Sequence, residues 1–226
     1  MNRTEEPMIA DTIHQIEHEL QGKAKLIAVT KTKPVDVLRE AYDAGCRRFG
    51  ENKVQEMAEK QPQLPSDVEW HLIGHLQTNK VKYIAPFVKL IQSVDSLKLL
   101  QEINKQAAKH QRSIDCLLQI YIADEETKFG LSAEEAETLL TDPALDELSN
   151  VRIIGLMGLA TNTDNQAQIR QEFRGLNQLF EKLLTIKRPV LQFTELSMGM
   201  SGDYQIALEE GSTMVRVGSA IFGSRK

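Results

Sequence analysis

The chain has 226 residues, 41% of them hydrophobic, and a formal net charge of −5. That is enough apolar content for one well-buried core, and α/β barrels of this length are common as one domain. An acidic balance spread over the whole chain argues against general affinity for nucleic acid or anionic membrane, but leaves room for a small, locally basic anion pocket.

In chain order, the N-terminal MNRTEEPMIADTIHQ has no apolar core of signal-peptide length. The longest nearly apolar run, IIGLMGLA, is far too short to span a bilayer, so a soluble, cytoplasmic protein with no membrane attachment is expected. A helix is predicted over 8–21, with Ile9, Ile13, Ile16 and Leu20 as its apolar stripe. Eight β-rich runs follow: KLIAVT (25–30), RRFGEN (47–52), EWHLIG (69–74), VKLIQSV (88–94), CLLQIYIA (116–123), RIIGLMGLA (152–160), FTELSM (193–198) and MVRVGSAIF (214–222). Between them lies helix punctuation. Pro34 opens a helix that carries Val35, Leu38 and Tyr42 and ends at Gly45. Asp95 or Ser96 caps another, with Leu97, Leu100 and Ile103 turned inward, and Ser132–Glu135 is a capping-box pattern. A long helix fits 166–185, with Ile169, Phe173, Leu176 and Phe180 on one face, and a short one fits about 203–210.

Each strand but the last is followed by a helix. Near-continuous apolar strands mean that both faces are buried, as in a parallel sheet. The expectation is a single α/β domain over 1–226, a (β/α)8 TIM barrel with an extra N-terminal helix. A doubly wound open sheet would alternate in the same way, but eight units fill the chain with little left over. A barrel closes its own sheet edges, so a monomer is expected. Cys46 and Cys116 sit in apolar-rich segments and read as two buried free thiols.

Barrel active sites lie at the C-terminal ends of the strands. Those ends carry Lys31, Glu51–Asn52, Gly74–His75, SMGMSGD (197–203) and RVGS (216–219). In the last two, Gly199, Gly202 and Gly218 allow close backbone approach, Ser201 and Ser219 offer hydroxyls, and Ser201 falls where the short helix should begin. Free N–H groups there would favour a phosphate. Taken singly, the glycines need mean only tight turns, and Lys31 and Lys33 only a solvated rim. Pro34 stops the strand, which makes Lys31 the better candidate for the barrel mouth. An amine and a phosphate site in one pocket point to a phosphorylated aldehyde bound as a Schiff base.

The segments AVTKTKP (28–34), FGENKVQE (49–56), WHLIGHLQTNK (70–80), GLMGLA (155–160), LSMGMSGD (196–203) and GSTMVRVGSAIFG (211–223) resemble the pyridoxal 5′-phosphate (PLP) homeostasis proteins, the YggS/PROSC type of PLP-binding barrel, over essentially the whole chain. The resemblance implies an alanine-racemase-like barrel that takes part in vitamin B6 and amino-acid homeostasis without strong catalysis. It implies that Lys31 forms the internal aldimine and that Ser201, Gly218 and Ser219 hold the phosphate with the Met200 backbone nearby. Asn52 would lie beside the ring. Arg216 would face the pyridine nitrogen, as the matching arginine does in the alanine racemase barrel. The family usually has Thr where this chain has Ser219, and the hydroxyl survives. PLP-dependent apoenzymes are the possible partners.

Two readings compete. An amino-acid racemase needs a base on each face of the ring. Racemases resembling this barrel draw one from a second domain, for which the sequence ends too soon after strand eight. Tyr204, His71 and His75 are the remaining candidates. Each has a milder explanation: ring packing at a helix start, a hydrogen-bonded core histidine, and a rim donor. A Schiff-base aldolase would not account for Arg216, whose own plain alternative is a rim salt bridge. His14 and His18 in HQIEH match a zinc-protease spacing but fall on the polar side of the first helix, and His71 and His75 lack a third ligand, so no metal is expected. TNKVK (78–82) reads as a solvated helix face.

Overall fold

The computed structural model describes residues 8–124 and 129–223. Helix α1 (Ile9–Leu20) precedes β1 (Lys25–Val29), α2 (Val35–Asp43), β2 (Arg48–Glu51), α3 (Val54–Lys60), β3 (Glu69–Leu72), α4 (Val81–Ile84), β4 (Leu90–Val94) and α5 (Leu97–Lys109). Then come β5 (Ile114–Tyr121), α6 (Ala133–Thr141), β6 (Val151–Leu159), α7 (Gln166–Leu183), β7 (Leu191–Met200), α8 (Tyr204–Glu209), β8 (Met214–Val217) and α9 (Ser219–Phe222). The strands pair in sequence order, all parallel, and β8 returns to β1 with Ile27 opposite Arg216. The sheet is therefore the closed barrel, not the open alternative.

Local chemistry places the helix ends. The Ser96 hydroxyl, not Asp95, caps α5 by accepting the Leu99 N–H at 3.1 Å. Ser132 and Glu135 exchange side-chain and backbone hydrogen bonds at the start of α6, satisfying donors that the helix itself leaves unpaired. The run MVRVGSAIF does not stay extended. Gly218 leaves the strand at φ −124°, ψ −71°, and its carbonyl accepts the N–H groups of Ile221 and Phe222 at 3.0 and 2.9 Å. The eighth strand thus ends at Val217 and is followed by a helix like the others, a correction to the sequence reading.

Two apolar layers result. The larger one packs the helices onto the outside of the barrel and includes Phe49 and Trp70, edge to face at 6.0 Å. The smaller one, Ile27, Leu90, Leu117, Met157 and Met214, forms its own cluster. Gln92 borders it, with its amide 3.8 Å from the Met214 sulfur. Helix α1 buries Ile13, Ile16 and Leu20, and its Glu19 accepts the Tyr204 hydroxyl. Both cysteines are buried free thiols; burial pushes Cys46 up to about 11 and Cys116 higher still.

Strand packing is tightest at a glycine. Gly155 sits at a register shift between β6 and β7 with φ +155°, and a Cβ there would lie 1.7 Å from the Glu195 carbonyl oxygen. Gly155→Ala is expected to lower unfolding free energy by about 3 kcal/mol or more, read by urea titration. A loss under about 0.5 kcal/mol would mean that the strands do not approach this closely.

Candidate functional site

The C-terminal strand ends surround a cavity of about 500 Å³. All seven residues singled out in the sequence line it: Lys31, Asn52, Met200, Ser201, Arg216, Gly218 and Ser219. No aspartate or glutamate lines it among the described residues, so its charged groups are the cations Lys31, Lys33 and Arg216.

The backbone on both sides of Lys31 is pinned from below. Thr30 is fully buried. Its hydroxyl donates to Glu51 Oε1 at 2.6 Å, and its carbonyl accepts from Lys60 Nζ at 2.8 Å. Lys60 also bonds Glu51 and Glu56, each at 2.7 Å. Glu56 in turn accepts the Thr32 N–H at 2.5 Å, holding a residue at φ +65° that few non-glycine side chains adopt. The turn that aims Lys31 is thereby braced by a three-residue charge network in which Glu51 and Lys60 are buried and Glu56 is partly exposed. Lys33 also lines the cavity, and its Nζ donates to the Phe222 carbonyl at 2.9 Å, fastening α9 across the mouth.

Arg216 is buried inside the barrel wall. One guanidinium N–H group donates to Ser197 Oγ at 2.6 Å and another to the Gly158 carbonyl at 2.8 Å. It makes no ion pair among the described residues, so the rim salt bridge considered for it is not formed. Burial lowers its pKa to about 10, opposed by the field of Asp203, so it stays a cation at neutral pH.

The other side of the cavity is a turn rich in donors. Ser201 Oγ accepts the N–H groups of Gly218 and Ala220, both at 3.2 Å, which leaves its proton for an acceptor in the cavity. A Cβ on Gly218 would press on Val29 at 3.1 Å, whereas one on Gly202 would meet nothing within 4 Å. Ser201 does not begin α8 as the sequence implied. Helix α8 starts at Tyr204 with Asp203 as its cap, and Asp203 accepts the Met200 N–H at 2.6 Å. The N–H groups that Ser201 gathers come instead from the β8–α9 turn.

Comparison with known proteins bears on the fold and the family. A family model described as alanine racemase, N-terminal domain, matches residues 7–226. The pyridoxal phosphate homeostasis protein of Aquifex aeolicus is 43% identical over 204 residues, covering 90% of this chain and 88% of its own. That of Haemophilus influenzae is 40% identical over 218 residues, covering 95% and 91%. The chain belongs to the family of pyridoxal phosphate homeostasis proteins. PipY of Synechococcus elongatus PCC7942, solved with PLP bound, superposes with a TM-score of 0.86 at 36% identity, over 96% of this chain and 100% of that one. An alanine racemase of Clostridium difficile 630 shares the fold, with a TM-score of 0.76 at 14% identity over 96% of this chain and 56% of that one.

Within this family member the proposed alternative bases lie elsewhere. Tyr204 gives its hydroxyl to Glu19 of α1, and burial pushes its pKa up to about 12. His75 is exposed at the rim, 3.7 Å from Asp95. His71 is buried, with Nδ1 3.0 Å from the Gln92 amide nitrogen. Sequence reasoning missed Val29, Ile73 and Leu159, which line the cavity but read as ordinary core. It named Glu51 only as a strand end and missed Glu56 and Lys60. The only signal was the i,i+4 spacing of the last two, which is common on solvated helices.

Two predictions follow from these burials. Burial, with the cations Arg48, Lys25 and Lys89 nearby, lowers His71 from 6.5 to about 3. The unfolded chain therefore takes up a proton below pH 6.5 that the folded protein refuses, and stability is lost as pH falls from 6.5 towards 3. Between pH 6.5 and 5, wild type should lose on the order of 2 kcal/mol more than His71→Gln in urea titrations; equal losses would contradict the assignment. Lys60→Met strands the buried Glu51 carboxylate and should cost about 3–5 kcal/mol, part of which Glu51→Gln recovers in the double variant.

Proposed function

We propose that this chain is a PLP-binding protein that holds the cofactor covalently and buffers it, taking part in vitamin B6 and amino-acid homeostasis with little turnover of its own. One observation carries the reading: a single cavity brings together the Lys31 amine, the Ser201–Gly218–Ser219 turn and the Arg216 guanidinium. Its volume of about 500 Å³ suits a small phosphorylated ligand. The residues present fit such a group. The open face of Gly202 and the Ser201 proton offer a cradle for phosphate, and Gly74 lets the chain carrying Asn52 pass close, since a Cβ there would lie 2.3 Å from the Asn52 carbonyl oxygen.

PLP supplies an aldehyde, which condenses with a primary amine to form a Schiff base and one water. In this reading Lys31 provides the amine. Ser201, Gly218 and Ser219 hold the phosphate with the Met200 backbone nearby, and Asn52 borders the ring. Arg216 can only donate, so at the ring nitrogen it disfavours a proton there and weakens the electron sink that amino-acid chemistry needs. The amino-acid racemase reading also needs a second base. Among the described residues that line the cavity the amines are Lys31 and Lys33, and Lys33 is engaged with the Phe222 carbonyl. The names of the relatives favour the homeostasis role. The PLP in PipY favours this cofactor over the sugar phosphate of an aldolase. We place the protein in the cytoplasm as a monomer, with PLP-dependent apoenzymes as candidate recipients; no described helix is long and apolar enough to cross a membrane.

Incubated with PLP and dialysed, the wild type should retain a visible absorbance band that Lys31→Ala lacks. An unchanged band in Lys31→Ala would move the attachment to another residue. The loaded wild type should racemise or transaminate free amino acids only at trace rates, by chiral chromatography of the products; robust turnover of any amino acid would favour the racemase.

A further inference from the structure

The barrel interior holds polar side chains that the cavity lining does not explain. Ser197, Gln92 and His71 are each at least nine-tenths buried, on β7, β4 and β3. Arg216 donates to Ser197 Oγ at 2.6 Å, Ser197 bonds Gln92 Oε1 at 2.6 Å, and Gln92 Nε2 lies 3.0 Å from His71 Nδ1. We propose that His71, Gln92 and Ser197 are positioning residues, a one-way hydrogen-bond chain through the barrel that holds Arg216 in place against the cofactor ring. The proposal rests on the PLP reading above for its last step only.

The direction follows from donor and acceptor counts. An arginine cannot accept, so Ser197 receives the guanidinium proton and must give its own elsewhere. The buried acceptor within reach is Gln92 Oε1. That fixes the Gln92 amide with its NH2 towards His71, so Nδ1 accepts and Nε2 carries the imidazole proton. With the other tautomer, Gln92 would turn over and offer NH2 to Ser197. The hydroxyl would then face two donors and have no acceptor for its proton. His71 Nε2 is buried without a partner among the described residues, beside a second cavity on the opposite mouth lined by charges of both signs, Lys25, Arg48, Lys89 and Arg152 with Glu69, Asp115 and Glu195. Donation therefore runs from Arg216 at the upper cavity to His71 at the lower mouth. With the Gly158 carbonyl as the second anchor, the chain sets the guanidinium plane and leaves the remaining donors for the cavity.

Two measurements on the full chain test this. Nitrogen-15 NMR of histidine-labelled protein without PLP should show His71 as the Nε2–H tautomer with Nδ1 accepting, and the Nδ1 signal should shift in Gln92→Met. A wild-type His71 protonated on Nδ1 would overturn the proposal whatever the cofactor does. In PLP-loaded protein, Ser197→Ala should weaken PLP binding roughly tenfold and shift the pH midpoint of the visible band. Leu117→Ala, a destabilising change in the neighbouring apolar cluster, should lower thermal stability but leave that midpoint in place. If Ser197→Ala, which removes one atom, keeps the wild-type midpoint and affinity, the chain does not position Arg216. A wild type with the Nε2–H tautomer but no visible band with PLP would sink the PLP reading, and with it the cofactor step of the proposal, while leaving the chain's direction standing.

Discussion

A guanidinium buried in the barrel wall, with no carboxylate partner among the described residues, is the constraint around which the interior is arranged. An unpaired cation out of water is costly unless every nearby acceptor is aimed at it. Here a hydroxyl and a backbone carbonyl meet Arg216 directly. The hydroxyl is held by Gln92 and that amide by His71, so one cation accounts for a line of polar side chains beside the apolar Ile27–Leu90–Leu117 cluster. An acid in place of Ser197 would neutralise the charge more simply. It would also turn Arg216 from a donor at the cavity into half of an ion pair.

The scaffold divides the remaining work between two regions. Near β1 and β2 the Glu51–Lys60–Glu56 network grips the backbone before and after Lys31, so the turn that presents the amine is tied down on both sides. Across the cavity, Ser201 ties the β7–α8 loop to the β8–α9 turn, and Lys33 ties α9 back to the first turn. The Lys33 contact joins the first and last β/α units, the same seam that closes the barrel through Ile27 and Arg216.

The sequence made the barrel legible because each strand is bounded by its own punctuation. Pro34, Ser96 and Ser132 mark helix starts through local chemistry alone. The seven cavity residues were legible for a different reason: their motifs resemble a known family, and the barrel puts strand ends together. Helix α9 was not legible, because VGSAIF is apolar and β-prone and only Gly218, whose backbone turns aside, breaks it. Gln92 in VKLIQSV looked like an ordinary polar strand residue, because its importance comes from two side chains that lie 21 and 105 residues away. Ile73 and Leu159 were hidden for a similar reason, since an apolar side chain facing a ligand and one facing a helix look alike in one dimension.

The attachment of the cofactor is the point on which the functional account turns. Protein incubated with PLP, reduced with borohydride and digested can be mapped by mass spectrometry. The account predicts one stable pyridoxyl-phosphate adduct, on the peptide that carries Lys31. An adduct confined to Lys33 or any other lysine, or no adduct at all, would contradict it.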